Sequence, residues 1–166
     1  MTKNARHLEI LIGICLILLG LGSAYLLYES LIWQIEFWNT HLTDEVSLSW
    51  IRLIADHRLG IISTILFCSS GYLLLKSNKL GWYFATIVCF DHFIAFLALA
   101  IDSYNDPNIS ISRWFSYSLS VLLLSLTSFL FSNQVRSKYA INLYSIIVVG
   151  AGIIMLFIDR FLIYYT

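Results

Sequence analysis

Five long apolar runs follow one another along the chain, separated by short polar connectors. They cover residues 9–28, 59–75, 80–101, 114–132 and 140–158. A helix needs about 20 apolar residues to cross a hydrocarbon core roughly 30 Å thick. The second run is short at 17 residues and is expected to continue a helix that begins near Trp50. Unpaired backbone polar groups are too costly in lipid, so each run is expected to be an α-helix. Alternating barrel strands of about ten residues do not fit such continuous runs. The pattern therefore predicts an all-α, polytopic transmembrane helix bundle of about five spans, forming one domain over residues 1–166.

Composition agrees with the pattern. Of 166 residues, 59% are hydrophobic and 12% charged, with a mean hydropathy of +0.80. A soluble domain carries about 25% charged residues, so half the usual charge is missing. The net charge of zero gives no case for nucleic acid as a partner. The apolar run behind Lys3 and Arg6 reaches about Leu27, longer than the roughly 7–15 residues of a signal-peptide core. It is read as a retained span.

The charges that remain set an orientation. With the N-terminus inside, Lys3, Arg6, Lys76, Lys79, Arg136 and Lys138 all fall on the inner face, which is six of ten basic residues and every lysine. The outer side receives four arginines with eight acids. Short basic inner loops and longer acidic outer ones predict an N-in, C-out topology with an odd number of spans. Trp33, Trp38, Trp50, Trp82 and Trp114 lie at span edges or in the outer connector, where amphipathic rings prefer to sit. Leu31–Trp38 mixes bulky apolar residues with two polar ones, which suits a short separate helix lying in the outer interface.

Asp91 is the residue most suggestive of chemistry. It stands 12 residues after Lys79 and 11 before Asp102, roughly 16–18 Å from either end of its span at 1.5 Å per residue. An acid at the midplane costs roughly 2.5–3.5 kcal/mol and is expected to face a cavity or a partner. His92 follows directly, but adjacent helix positions point about 100° apart, so the two are not expected to form a dyad on one face. Asp91 and His92 are candidates for a proton relay or for polar packing. Asp159-Arg160 is read as the outer edge of the fifth span, and no intramembrane ion pair within the chain can be named from the sequence.

Small residues mark the candidate packing faces. Ser118, Ser125, Ser128 and Ser132 recur at spacings of 7, 3 and 4 and are expected to line one face of the fourth span. Gly20 and Ala24 in the first span, and Gly150 in the fifth, offer similar surfaces for close approach. Cys15, Cys68 and Cys89 fall in apolar runs without a CxxC pair, which fits small buried hydrophobes. His41, Asp44, Asp56 and His57 lack a metal-ligand spacing, so neither a metal nor another cofactor is expected. No GxSxG or Gly-rich phosphate loop supports acyl or phosphoryl transfer.

The expected partners are the lipid bilayer and other membrane chains, or further copies of this one. The expected function is an accessory, assembly or stabilising subunit of a larger membrane complex. The alternatives are a proton-coupled transporter or channel component using Asp91, and a membrane enzyme acting on lipid or quinone. A bacterial inner membrane is the expected location, with an organelle membrane as the other choice. The topology is testable with single cysteines at Asp44 and Asn78 in a background lacking the native three. An impermeant maleimide should label them from opposite sides, and labelling of both from one side would refute the orientation.

Overall fold

The computed structural model describes residues 3–41, 50–102 and 110–165. Among the described residues every regular element is an α-helix: α1 (Lys3–His41), α2 (Trp50–Asp56), α3 (Arg58–Leu75), α4 (Lys79–Asp102), α5 (Ser110–Leu130), α6 (Asn133–Lys138) and α7 (Leu143–Tyr165). Four of them, α1, α3, α4 and α7, are long and apolar enough to cross a membrane. The fifth run differs: α5 has the length, but seven serines and Arg113 dilute its apolar character.

The separate interfacial helix expected at Leu31–Trp38 is not seen. That stretch continues α1 without a break, so α1 runs for 39 residues, about 58 Å at the helical rise. The cause is local. No glycine or proline occurs between Ser23 and His41, so nothing interrupts the backbone ladder, and Trp33 stacks on Phe37 one turn later, with ring centroids 5.6 Å apart. The helix expected to begin near Trp50 does so, but His57 separates it into α2 and α3.

The helices alternate between two ends. At one end the Arg6 guanidinium donates to the Leu75 carbonyl (2.7 Å), the Lys79 ammonium to the Ala140 carbonyl (3.3 Å), and the Trp82 indole to the Leu130 carbonyl (2.8 Å). At the other end Ser30 meets His57 (3.1 Å) and Arg58 meets Asp159 (3.0 Å). So α1, α4 and α7 run one way and α3 and α5 the other. They form a row, α1–α3–α4–α5, with α7 laid mainly along α4. Both turns at the first end close with a left-handed residue, Ser77 (φ 56°) and Ala140 (φ 48°). In each, the amide of the left-handed residue and the amide after it reach back to the last carbonyls of the preceding helix.

Helix α4 is the centre of the row, with Trp82, Ala85, Val88 and Cys89 fully buried. The α1–α3 contact is made by backbone approach. A Cβ on Gly71 would sit 2.5 Å from the Gly13 carbonyl oxygen, and one on Gly20 would sit 2.5 Å from Cys68 Sγ. The Ser23 and Thr64 hydroxyls bond across the same contact at 3.0 Å. Cysteines placed at Ser23 and Thr64 should therefore cross-link on oxidation. Gly71→Val should abolish that cross-link, whereas Gly22→Val, whose Cβ would meet open space, should leave it unchanged. Equal cross-linking in both variants would contradict the contact.

Candidate functional site

The face of α4 toward α7 carries Tyr83, Ile87 and Asp91 at spacings of four, one residue per turn. Facing them on α7 are Ser145, Gly152 and Arg160. The Tyr83 hydroxyl donates to Ser145 Oγ at 3.0 Å. A Cβ on Gly152 would lie 2.6 Å from Ile87 Cδ1, so glycine allows the close approach there. Above this, Arg160 Nη2 donates to Asp91 Oδ2 at 2.6 Å. One polar, one close-packed and one ionic contact thus succeed each other along the seam.

Arg160 is the partner for Asp91 that could not be named from the sequence. From the Tyr83–Ser145 contact, Asp91 lies eight residues on and Arg160 fifteen, so the arginine backbone is roughly 10 Å further along. Helical side chains point back toward the N-terminus, and the long apolar stem of arginine can run along the bundle while its charged head reaches the acid. The Asp91 side chain is 5% exposed and that of Arg160 28%. An isolated charge at that burial would be strongly disfavoured; the guanidinium supplies the matching charge.

Next to Asp159 Oδ1 and Oδ2, Arg58 Nε stands at 3.0 and 3.1 Å, with its Nη2 2.9 Å from Oδ1. Adjacent residues of opposite sign on α7 therefore take partners of opposite sign on α3 and α4. His92 turns toward α3, its ring edge-on to Phe67 at a centroid distance of 4.8 Å. Its Nδ1 is 3.0 Å from the Val88 carbonyl and 3.4 Å from Asp91 Oδ2. The carbonyl is thus the nearer partner, and the carboxylate is engaged chiefly by Arg160.

A second charged cluster lies at the opposite end. Glu9, 3% exposed, accepts from Arg6 Nη1 at 2.8 Å and from Lys138 Nζ and the Tyr139 hydroxyl. Burial, and then the Glu9 carboxylate it bonds, push the Tyr139 phenol well above the ordinary tyrosine range. Arg6 also donates to Ser77, so the cluster ties the start of α1 to the turns before α4 and α7. In the sequence Glu9 marks only the start of a span. Its one signal is Arg6 three residues earlier, and Asp159-Arg160 as a doublet is the corresponding signal at the other end.

The predicted small-residue positions are not brought together. Ser118, Ser125 and Ser128 are exposed on α5, each hydroxyl donating to the carbonyl four residues back at 2.8–2.9 Å. The face that packs on α4 carries Ser116, Ser120, Leu123, Thr127 and Leu130 instead. Ser132 is outside α5: it precedes α6, and its buried hydroxyl has no partner among the described residues. Gly20 is buried against α3 and Ala24 half-buried, while Gly150 faces open space and Gly152 makes the close contact. Of the residues singled out near the outer connector, His41 and Asp44 lie where no side chain is described. Among the described residues no group of three or more His, Cys, Asp or Glu side chains converges to hold a metal.

Four apolar helices of spanning length joined by paired internal charges define a helical membrane protein. Comparison with protein families, with curated proteins and with solved structures finds no match.

The pairing of Asp91 with Arg160 makes a quantitative prediction. Asp91→Leu or Arg160→Leu alone leaves an uncompensated charge and should destabilise the bundle by on the order of 3 kcal/mol. The double variant should cost less than the sum of the two. Unfolding of the purified variants in mixed detergent micelles measures this, and strict additivity would contradict the pair.

Proposed function

We propose that this chain is a membrane-embedded accessory, assembly or stabilising subunit of a larger complex, with five crossings, N-in and C-out. The observation that carries the reading is the open arrangement of its helices. A row of four helices with α7 along one side leaves long flanks for other chains. The charged groups inside the bundle are occupied in holding its own helices: Asp91 by Arg160, Asp159 by Arg58, and Glu9 by Arg6, Lys138 and Tyr139.

The fifth crossing is supported by how α5 lies. It packs along α4 in the opposite direction, its end bonded at the level of Trp82. Its serines lower its own affinity for lipid, which makes a neighbouring protein surface a better environment for the outward face at Ser118, Ser125 and Ser128. Hydroxyl groups and small side chains favour helix association in a bilayer. One observation favours the proton-coupled alternative: His92 Nδ1 is 3.4 Å from Asp91 inside the bundle. Asp91 is nevertheless held by a guanidinium, an arrangement better suited to fixing α7 than to carrying a proton.

The expected outcome in mild detergent is co-purification with a partner chain or as a stable oligomer. Ser125→Leu with Ser128→Leu should abolish that association while insertion persists. A monodisperse monomer that catalyses proton-linked uptake in liposomes would replace this reading with the transporter.

A further inference from the structure

The two ends of the bundle use their cations differently. Near Asp159 and Asp91, the cations Arg58 and Arg160 each hold a carboxylate. At the opposite end the described cations are Arg6, Lys76, Lys79, Arg136 and Lys138, and the one described acid among them is Glu9. Arg6 and Lys138 already saturate it. Lys76, Lys79 and Arg136 face no carboxylate among the described residues.

All three lie at the same end of the bundle, on the turn between α3 and α4 and on α6. Lys76 and Lys79 flank the tight turn between α3 and α4, with Lys76 Nζ 4.7 Å above the Tyr72 ring and Lys79 Nζ 5.7 Å from the Tyr83 ring. Lys79 also reaches the Ala140 carbonyl at 3.3 Å, and the next amide, that of Ile141, donates to the Arg136 carbonyl at 3.0 Å. The backbone that carries Arg136 is therefore bonded to the segment Lys79 holds. Around them Ser77, Asn78, Asn133 and Gln134 are exposed polar groups, whereas Val135 is buried and fixes α6 against the bundle.

From these cations at one end, without a carboxylate among the described residues and carried on backbone segments bonded to one another, we propose that Lys76, Lys79 and Arg136 form a binding surface for the phosphate headgroup of an anionic phospholipid. Basic residues at a membrane surface attract anionic headgroups at about 1 kcal/mol each, or about fivefold in affinity. Tyrosine at headgroup level gives the acyl chain region an apolar neighbour. The proposal rests on the helices crossing a membrane, so that this end meets a headgroup layer, and it requires no partner subunit.

The test equilibrates the purified chain with phosphatidylcholine vesicles, with or without added phosphatidylglycerol, and reads the retained lipid by native mass spectrometry. The expected result is selective retention of phosphatidylglycerol, reduced about fivefold by Lys76→Gln and again by Arg136→Gln. Both side chains are exposed, and Lys76→Arg should keep the selectivity, which separates loss of charge from loss of fold. High salt should weaken retention in the parent chain. Equal retention of the two lipids, or selectivity indifferent to both Gln variants, would overturn the site. Displacement of the lipid by inorganic phosphate at equal concentration would overturn it too, by showing a small-anion site in place of a lipid one. The measurement uses the isolated chain, so its failure leaves the subunit reading standing, and a failed search for partners leaves this one standing.

Discussion

In a bilayer, apolar side chains gain nothing by leaving lipid for one another, so helices are held by close backbone approach and by polar groups that have no better partner. The structure depends on that constraint throughout. Helices α1 and α3 meet where Gly13, Gly20 and Gly71 remove side chains from the contact, and their one described cross-helix hydroxyl pair, Ser23 with Thr64, lies in the same seam. Close approach multiplies weak dispersion contacts, which explains how so long a helix is held by a shorter one.

Helix α7 is the extreme case. Among its described side chains only Ser145 and Val149 are buried, and most of the others face outward. Apolar burial cannot hold such a helix in lipid. Its attachment falls to the Tyr83–Ser145 hydrogen bond, the Gly152 contact with Ile87, and the ion pairs of Asp159 and Arg160. Because the two adjacent charges have opposite sign and opposite partners, sliding or rotating α7 by one residue would set like charges together. The doublet thus fixes register as well as position.

The same logic connects the ends. Glu9 draws Arg6 from α1 and Lys138 and Tyr139 from the turn before α7, although α1 and α7 are separated by α3 and α4 in the row. A buried carboxylate needs several donors, and meeting that need ties together segments 129 residues apart in the chain.

The chain's periodicity by itself determined that the elements are helices and where most of them begin and end; it predicted about five spans, and four of the described helices are long and apolar enough to cross a membrane. These follow from local rules: backbone satisfaction in lipid and run length act over 20 residues or so. The same rules located Asp91 at mid-span. They misjudged Leu31–Trp38, because polarity alone marks an interface whereas helix continuity depends on the absence of a breaker. Tertiary structure alone decided which face of α5 packs, since serines lie on both and spacing favoured Ser118, Ser125 and Ser128 over the buried Ser116 and Ser120. It alone decided that Arg160 reaches Asp91 and that Glu9 gathers three donors. Those partners lie 69 to 130 residues away for all but Arg6, and what brings them together is the need of each buried charge for an opposite one, a requirement that no local pattern records.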